Sequence, residues 1–278
     1  VTQGDDEFDA VRRDPDPLRR GRRATELITL YQQRAAELAR LRRVSIDEAH
    51  RTLGLNYKDI ADRLGISKGR ITQIRSTAPE AERAFFGVGP VSVGIPRRYG
   101  LEEGRERAFF DAVDLTSQTA IQNLMEKLSL ASSPLAIEPD RADVPAGDSV
   151  IICGPKSAPV ARTLLDADPV LDFEQADGHW WITDQRSATK FDSPYRRPVP
   201  SNSDVGYFAR HLTDTRVVVH IAGITSVGSL GVVHWLQANL SNLFRDFENT
   251  SISGAVACDF DDDYTITGSK LIAGPYPW

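Results

Sequence analysis

Residues 56–76, NYKDIADRLGISKGRITQIRS, leave the backbone few choices. Asn56 is suited to cap a helix by accepting backbone N–H bonds, and Tyr57–Arg63 follow as good helix formers. Gly65 falls where the chain must turn sharply, a conformation that a residue without Cβ adopts cheaply. Ser67 then caps a second helix over Lys68–Ser76. Ile60, Leu64, Ile66, Ile71 and Ile74 are spaced to fill the wedge between two crossing helices, and Ala61 is small where they must approach closely.

Counted from Tyr57, the pattern is apolar at four, eight, ten, fifteen and eighteen, with Ala at five and Gly at nine. It resembles the helix-turn-helix of phage repressors and of region four of bacterial sigma factors. The resemblance implies that the second helix enters the major groove of double-stranded DNA. Its outer face would offer Lys68, Arg70, Thr72, Gln73 and Arg75. Arginine grips guanine in a bidentate fork and glutamine does the same for adenine, whereas Lys68 and Arg75 equally suit phosphate. A helical hairpin that only packs a core is the alternative.

Upstream, Thr25–Gly54 contains no breaker, and Leu27, Tyr31, Ala35, Leu38, Ile46, Ala49 and Leu53 recur at near-helical spacing. This predicts one long helix, or two with a break near Val44, placing Arg40, Arg42 and Arg43 beside the DNA backbone. A helix of this length also suits pairing with a second copy, so a homodimer on a two-fold operator is the expectation. Residues 1–17 are acidic and contain prolines, which predicts a disordered tail.

Charge divides the chain in the same place. Residues 18–78 carry 14 basic and 6 acidic side chains, while the remainder carries 19 and 33. A basic module on an acidic body suits a phosphate-binding domain joined to something else. The domains are thus 1–17 (tail), 18–80 (helix-turn-helix) and 81–278 (ligand sensing).

From Ala81 onward strands alternate with helices, which predicts an α/β fold with a largely parallel or mixed sheet behind an all-α N-terminal domain. Residues 88–98 read as a buried strand and 104–130 as a helical segment with Phe109, Val113, Ile121, Leu124 and Leu128 inward. Residues 134–139 suggest a short edge strand. DSVIICGPKSAPVARTLL reads as strand, glycine turn and helix, and TRVVVHIAGITSVGSLGVVHWL repeats that unit. Asp177-Gly178 marks a hairpin. Residues 184–212 read as a long irregular loop, a candidate lid with Tyr207 able to stack on a base.

In such sheets ligands gather at the carboxyl ends of the strands. Three strands end in related chemistry: Arg97 and Arg98; Gly154, Pro155, Lys156 and Ser157; and Gly223, Thr225, Ser226, Gly228 and Ser229. Small residues, hydroxyls and cations at helix starts suit an anion, such as a nucleotide or phosphorylated metabolite. No Gly-x-Ser-x-Gly elbow or paired-carboxylate signature argues for an enzyme, and His220 within VVVHIAGI reads as a core histidine. The histidines and two cysteines lack metal-ligand spacing, so no metal or cofactor is expected. No apolar run approaches the length of a membrane span, and the polar N-terminus does not resemble a secretory signal. A cytoplasmic location and no membrane partner follow as expectations. As a whole the chain resembles bacterial one-component transcription regulators, which implies a DNA operator and a small-molecule effector as partners. A DNA-tethered enzyme acting on a nucleotide or sugar, and a regulator whose α/β domain serves only oligomerisation, are the alternatives.

Overall fold

The computed structural model describes residues 3–278, with side chains from residue 7 onward. Residues 1 and 2 of the expected tail lie outside the described residues. The rest of that tail is not irregular: α1 (Gln3–Arg13) runs into α2 (Pro17–Thr52). Asp16 caps α2 by accepting from Leu18 N and Arg19 N, and Pro17 occupies the first turn, where its missing N–H costs nothing. Asp14 accepts from Arg19 at 2.7 and 2.8 Å. This hydrogen bonding holds its carboxyl down at about 2. RRDPDP is therefore a capped joint between helices rather than a breaker.

α2 is one unbroken helix of 36 residues, about 54 Å long at 1.5 Å per residue. Its predicted inner stripe is only partly covered, because much of the helix has no neighbour: Leu38 is 67% exposed, and Ile46 is its one fully apolar buried residue. Two short helices follow, α3 (Tyr57–Leu64) and α4 (Lys68–Thr77). Asn56 accepts from Lys58 N and Asp59 N, Ser67 accepts from Arg70 N, and Gly65 takes the left-handed conformation at φ 66°. Ile46, Ile60, Ala61, Ile71 and Ile74 close a small separate core. Leu64, expected in that wedge, is instead 52% exposed at the end of α3.

The remaining chain forms an α/β body, entered through a 3-10 turn at Ala81–Phe86. In order it contains β1 (Val91–Pro96), β2 (Arg98–Glu102), β3 (Arg105–Phe109), α5 (Ala112–Lys127), β4 (Ser132–Ile137), β5 (Ser149–Ile152) and α6 (Pro159–Leu165). There follow β6 (Leu171–Ala176), β7 (His179–Asp184), β8 (Thr189–Asp192), β9 (Ser203–Leu212), β10 (Val217–Gly223), α7 (Ser226–Asp246), β11 (Ile252–Phe260) and β12 (Ile266–Pro277). Seven strands make a mixed sheet in the order β12-β11-β9-β10-β5-β1-β4. β10, β5, β1 and β4 are parallel, whereas β9 runs against both β10 and β11. α5 and α7 pack over one face, burying Ile121, Met125, Val232, Leu236 and Phe244 with the strand residues Val93, Val150 and Val219.

Two sequence expectations fail here for local reasons. Residues 98–109 are an exposed β-hairpin, not the start of a helix, because Glu103 and Gly104 both adopt positive φ (50° and 75°) and reverse the chain; Phe109 is consequently 48% exposed. The expected loop at 184–212 contains β8 and then β9, a ten-residue central strand. β9 is buried on both faces, so it lacks alternation, and it carries the buried polar residues Asp204, Arg210 and His211.

Those polar groups tie the layers together. Arg210 donates to Phe85 O, Glu248 O and Thr250 O at 3.0–3.1 Å. Arg83, fully buried, donates to Ser129 O, Val88 O and Gln33 Oε1 at 2.6, 2.8 and 2.9 Å. Gln33 lies on α2, so Arg83 fastens the long helix to the body. Among the described residues no helix is long and apolar enough to cross a membrane.

The two buried histidines make stability pH-dependent. Burial pushes His211 down to about 4 and His220 to about 3 from an ordinary 6.5. The unfolded chain therefore takes up protons first as pH falls below 6.5, and stability drops by about 1.4 kcal/mol per pH unit for each histidine until its folded value is reached. Urea unfolding at about pH 7.5 and about pH 5 should show a lower midpoint at the acidic pH. A midpoint that holds or rises would show that these imidazoles are not kept neutral.

Candidate functional site

The parallel strands β1, β5 and β10 end side by side, and their carboxyl ends open into a cleft of about 360 Å3. Arg97, Arg98, Gly154, Lys156, Ser157, Gly223, Thr225, Ser226 and Ser229 all line it, so residues from three separate sequence segments converge as expected. The wall also contains Cys153, together with Asp111, Asp114 and Arg196, which the sequence reading did not single out. Arg196 lies in a 3-10 turn, Pro194–Arg196, inside the segment expected to be a lid.

Three expected residues sit elsewhere. Tyr207 is fully buried in β9 and donates its hydroxyl to Asp168 at 2.9 Å, so it is a core residue and stacks on no ligand. Gly228 lies one turn into α7, where a Cβ would overlap Val205 O; it serves the close approach of helix to strand. Pro155 flanks the cleft in the turn after β5 without lining it.

The expected free N–H groups at the start of α7 are partly spoken for. Asp204, buried at the end of β9, accepts from Thr225 N, Thr225 Oγ1 and Gly228 N at 3.2, 2.5 and 2.9 Å. Its carboxylate thus neutralises the positive end of the helix. Burial raises its pKa, against these hydrogen bonds. What remains for a ligand is mainly side-chain charge. Lys156 Nζ donates to Ile224 O, and desolvation on the cleft wall, followed by repulsion from Arg196, lowers its pKa. Arg98 pairs with Asp114 at 3.1 Å, and its Nε is buried without a partner among the described residues. Arg97 is held by Glu138 at 2.7 Å. The Arg196 side chain, exposed at the rim, has no hydrogen-bond or ion-pair partner among the described residues. Arg98, Lys156 and Arg196 therefore leave donors over around one concavity.

A second cavity of about 560 Å3 adjoins the first and shares Lys156, Arg196 and Ile224 with it. Its other wall is aromatic, with His179, Trp180 and Trp181 from β7. The Lys156 ammonium stands 5.9 Å from the Trp180 ring centre, at the junction of the two cavities.

Cys153 lines the cleft, and His220 lies buried behind it. His220 Nε2 lies 2.9 Å from Cys153 O, which makes it the donor of a neutral imidazole. Burial pushes the Cys153 thiol up to about 12, so no thiolate forms near neutral pH.

A separate polar surface lies on α4. Ile71 and Ile74 are buried, while Lys68, Arg70, Thr72, Gln73 and Arg75 are exposed. Arg70 donates to Gln73 Oε1, so these two side chains are presented as a pair. Arg75 is drawn inward: it binds Asp47 at 2.7 Å and lies 4.6 Å over the Tyr57 ring. Arg43 is similarly occupied by Glu80 and Asp47, and Arg40, expected beside the DNA backbone, is instead buried and bound to Glu37 at 2.8 Å, while Arg42 is exposed on α2. Lys68, Arg70 and Gln73 are the side chains of this face left to reach outward.

Comparison with known proteins returned no match: no family model, no curated protein and no solved structure is similar to the chain.

The cleft's charge is directly testable. Inorganic pyrophosphate at millimolar concentration should raise the melting temperature by about 3 °C, because a ligand binding only the folded state stabilises it by mass action. The Lys156→Ala/Arg196→Ala double variant should lose that shift. An equal shift in the variant would place the anion elsewhere.

Proposed function

We propose that the protein is a sequence-specific DNA-binding transcription regulator of the cytoplasm, with an α/β body that binds a small anionic effector. The observation that carries the DNA half is α4: a capped helix whose only buried side chains are Ile71 and Ile74, and whose outer face bears Lys68, Arg70, Thr72 and Gln73 and no acid. Such a helix suits a groove, since its exposed side chains match base edges and phosphate. Arg70 and Gln73 release each other to read guanine and adenine; Lys68 and Arg42 hold phosphate. Two copies, one per half-site, would give the operator two-fold symmetry.

The effector half rests on the cationic cleft, and α7 supplies a physical route between the halves. Its N-cap, Thr225, lines the cleft. At its other end Glu248 lies 3.6 Å from Arg40 of α2, and Arg210 binds the carbonyls of Phe247 and Glu248. A helix of 21 residues, about 31 Å long, thus touches both the ligand site and the helix that carries α3 and α4. An effector regulates only if it binds the two arrangements of this joint with different affinity.

Selection from a random duplex library, followed by anisotropy titration, tests the reading. The protein should prefer a defined sequence, with affinity falling steeply as salt rises. Arg70→Ala should weaken binding to the preferred duplex about tenfold or more and relax preference at one or two base pairs. No binding to any duplex at low ionic strength would defeat the proposal.

A further inference from the structure

The two adjoining cavities differ in chemistry, and together they specify more than an anion. The first presents Arg98, Lys156 and Arg196; the second presents His179, Trp180 and Trp181. They meet at Lys156, which lines the cationic concavity and whose ammonium is close to the Trp180 ring. Their volumes lie within the range of small-molecule sites.

The carboxylates of the two cavities decide between ring types. A sugar is usually held through its hydroxyls, which need free acceptors. Asp111 accepts from Val113 N and Asp114 N, Asp114 is paired with Arg98, and Asp192 takes two bonds from Arg197 at 2.6 and 2.8 Å. In the aromatic cavity Asp192 is thus engaged through both oxygens, whereas Asp111 and Asp114, which line the other cavity, are each engaged through one. The aromatic wall therefore offers stacking more readily than hydroxyl recognition, and stacking is the chemistry of a planar base.

We infer that the cleft binds a nucleotide, with its phosphate among Arg98, Lys156 and Arg196 and its base in the aromatic cavity beside Trp180. This rests on the effector half of the proposed function and is independent of the DNA half. A phosphate alone would engage the cations of one cavity and a nucleoside alone the aromatic wall of the other; only the joined molecule uses both. Affinity for the joined molecule should exceed either fragment, because the second contact is made without a second loss of translational freedom.

Isothermal titration of the full chain tests this with 5′-mono- and diphosphates of the four common ribonucleosides, the free nucleosides, ribose 5-phosphate and inorganic pyrophosphate. At least one nucleotide should bind ten times more tightly than ribose 5-phosphate or pyrophosphate. Trp180→Leu should cost that nucleotide at least tenfold while leaving pyrophosphate affinity within twofold, and Trp180→Phe should retain most of the affinity. Lys156→Ala should weaken both. Unchanged pyrophosphate binding also certifies that Trp180→Leu is folded. If ribose 5-phosphate and pyrophosphate bind as well as any nucleotide, the base site is wrong and the anion site stands. If none of the probes binds, both fail.

Discussion

Arg210 joins the central strand, the entry turn of the body and the chain after α7. It rises from the central strand β9 and gathers carbonyl oxygens from the 3-10 turn that opens the body and from the chain leaving α7. Burial drives its pKa down to about 10, yet the guanidinium stays charged at neutral pH and its N–H groups are used. A buried cation of this kind is tolerable only while every one of those carbonyls stays in place; losing one partner leaves an uncompensated group worth several kcal/mol. The position of α7 relative to β9, and of both relative to the entry turn, is fixed by that requirement. Arg83 extends the same device to α2 through Gln33, and Glu248 meets Arg40 next to it. The junction between the helical part and the body is consequently polar and specific rather than a greasy contact that could slide.

Much of the architecture was legible because it depends on local rules. The caps Asn56 and Ser67 and the left-handed Gly65 stand where residue chemistry demands them, and the strand–turn–helix units around Gly154 and Gly223 place their loops in one cleft. The failures share a different cause. β9 concealed itself because a strand covered on both faces has no alternation, and because Asp204, Arg210 and His211 make it look like a loop. Their partners lie in distant segments, so nothing nearby reveals that they are satisfied. Tyr207 was drawn into the ligand site by the same misreading, since its partner Asp168 is 39 residues away. The hairpin at 98–109 was missed because Glu103 adopts positive φ without being glycine.

The site itself was legible in its positive charge and not in its shape. Arg98, Lys156 and Ser157 follow from the rule that open α/β sheets bind ligands at strand ends. Arg196 and the tryptophans arrive from the small β6-β7-β8 sheet and the turn behind it, which no pattern in the chain links to β1, β5 or β10. The α7 start also carries a correction with physical content. Asp204 already satisfies much of that helix end, so the cleft presents side-chain cations rather than a fixed cradle of amides.

The account stands or falls on α4 entering a DNA groove with its outer face leading. Both native cysteines are buried, so a single Ser76→Cys substitution, on the exposed last turn of α4 and outside the side chains assigned to bases, offers one reactive thiol for an iron chelate that cleaves nearby DNA. On a duplex selected by the protein, the tethered iron should cut within a few base pairs of one major-groove position per half-site, and an equivalent tether through Glu106→Cys on the β2–β3 hairpin should not. Cleavage that is absent, or spread evenly along the duplex from both tethers, would show that α4 does not read DNA.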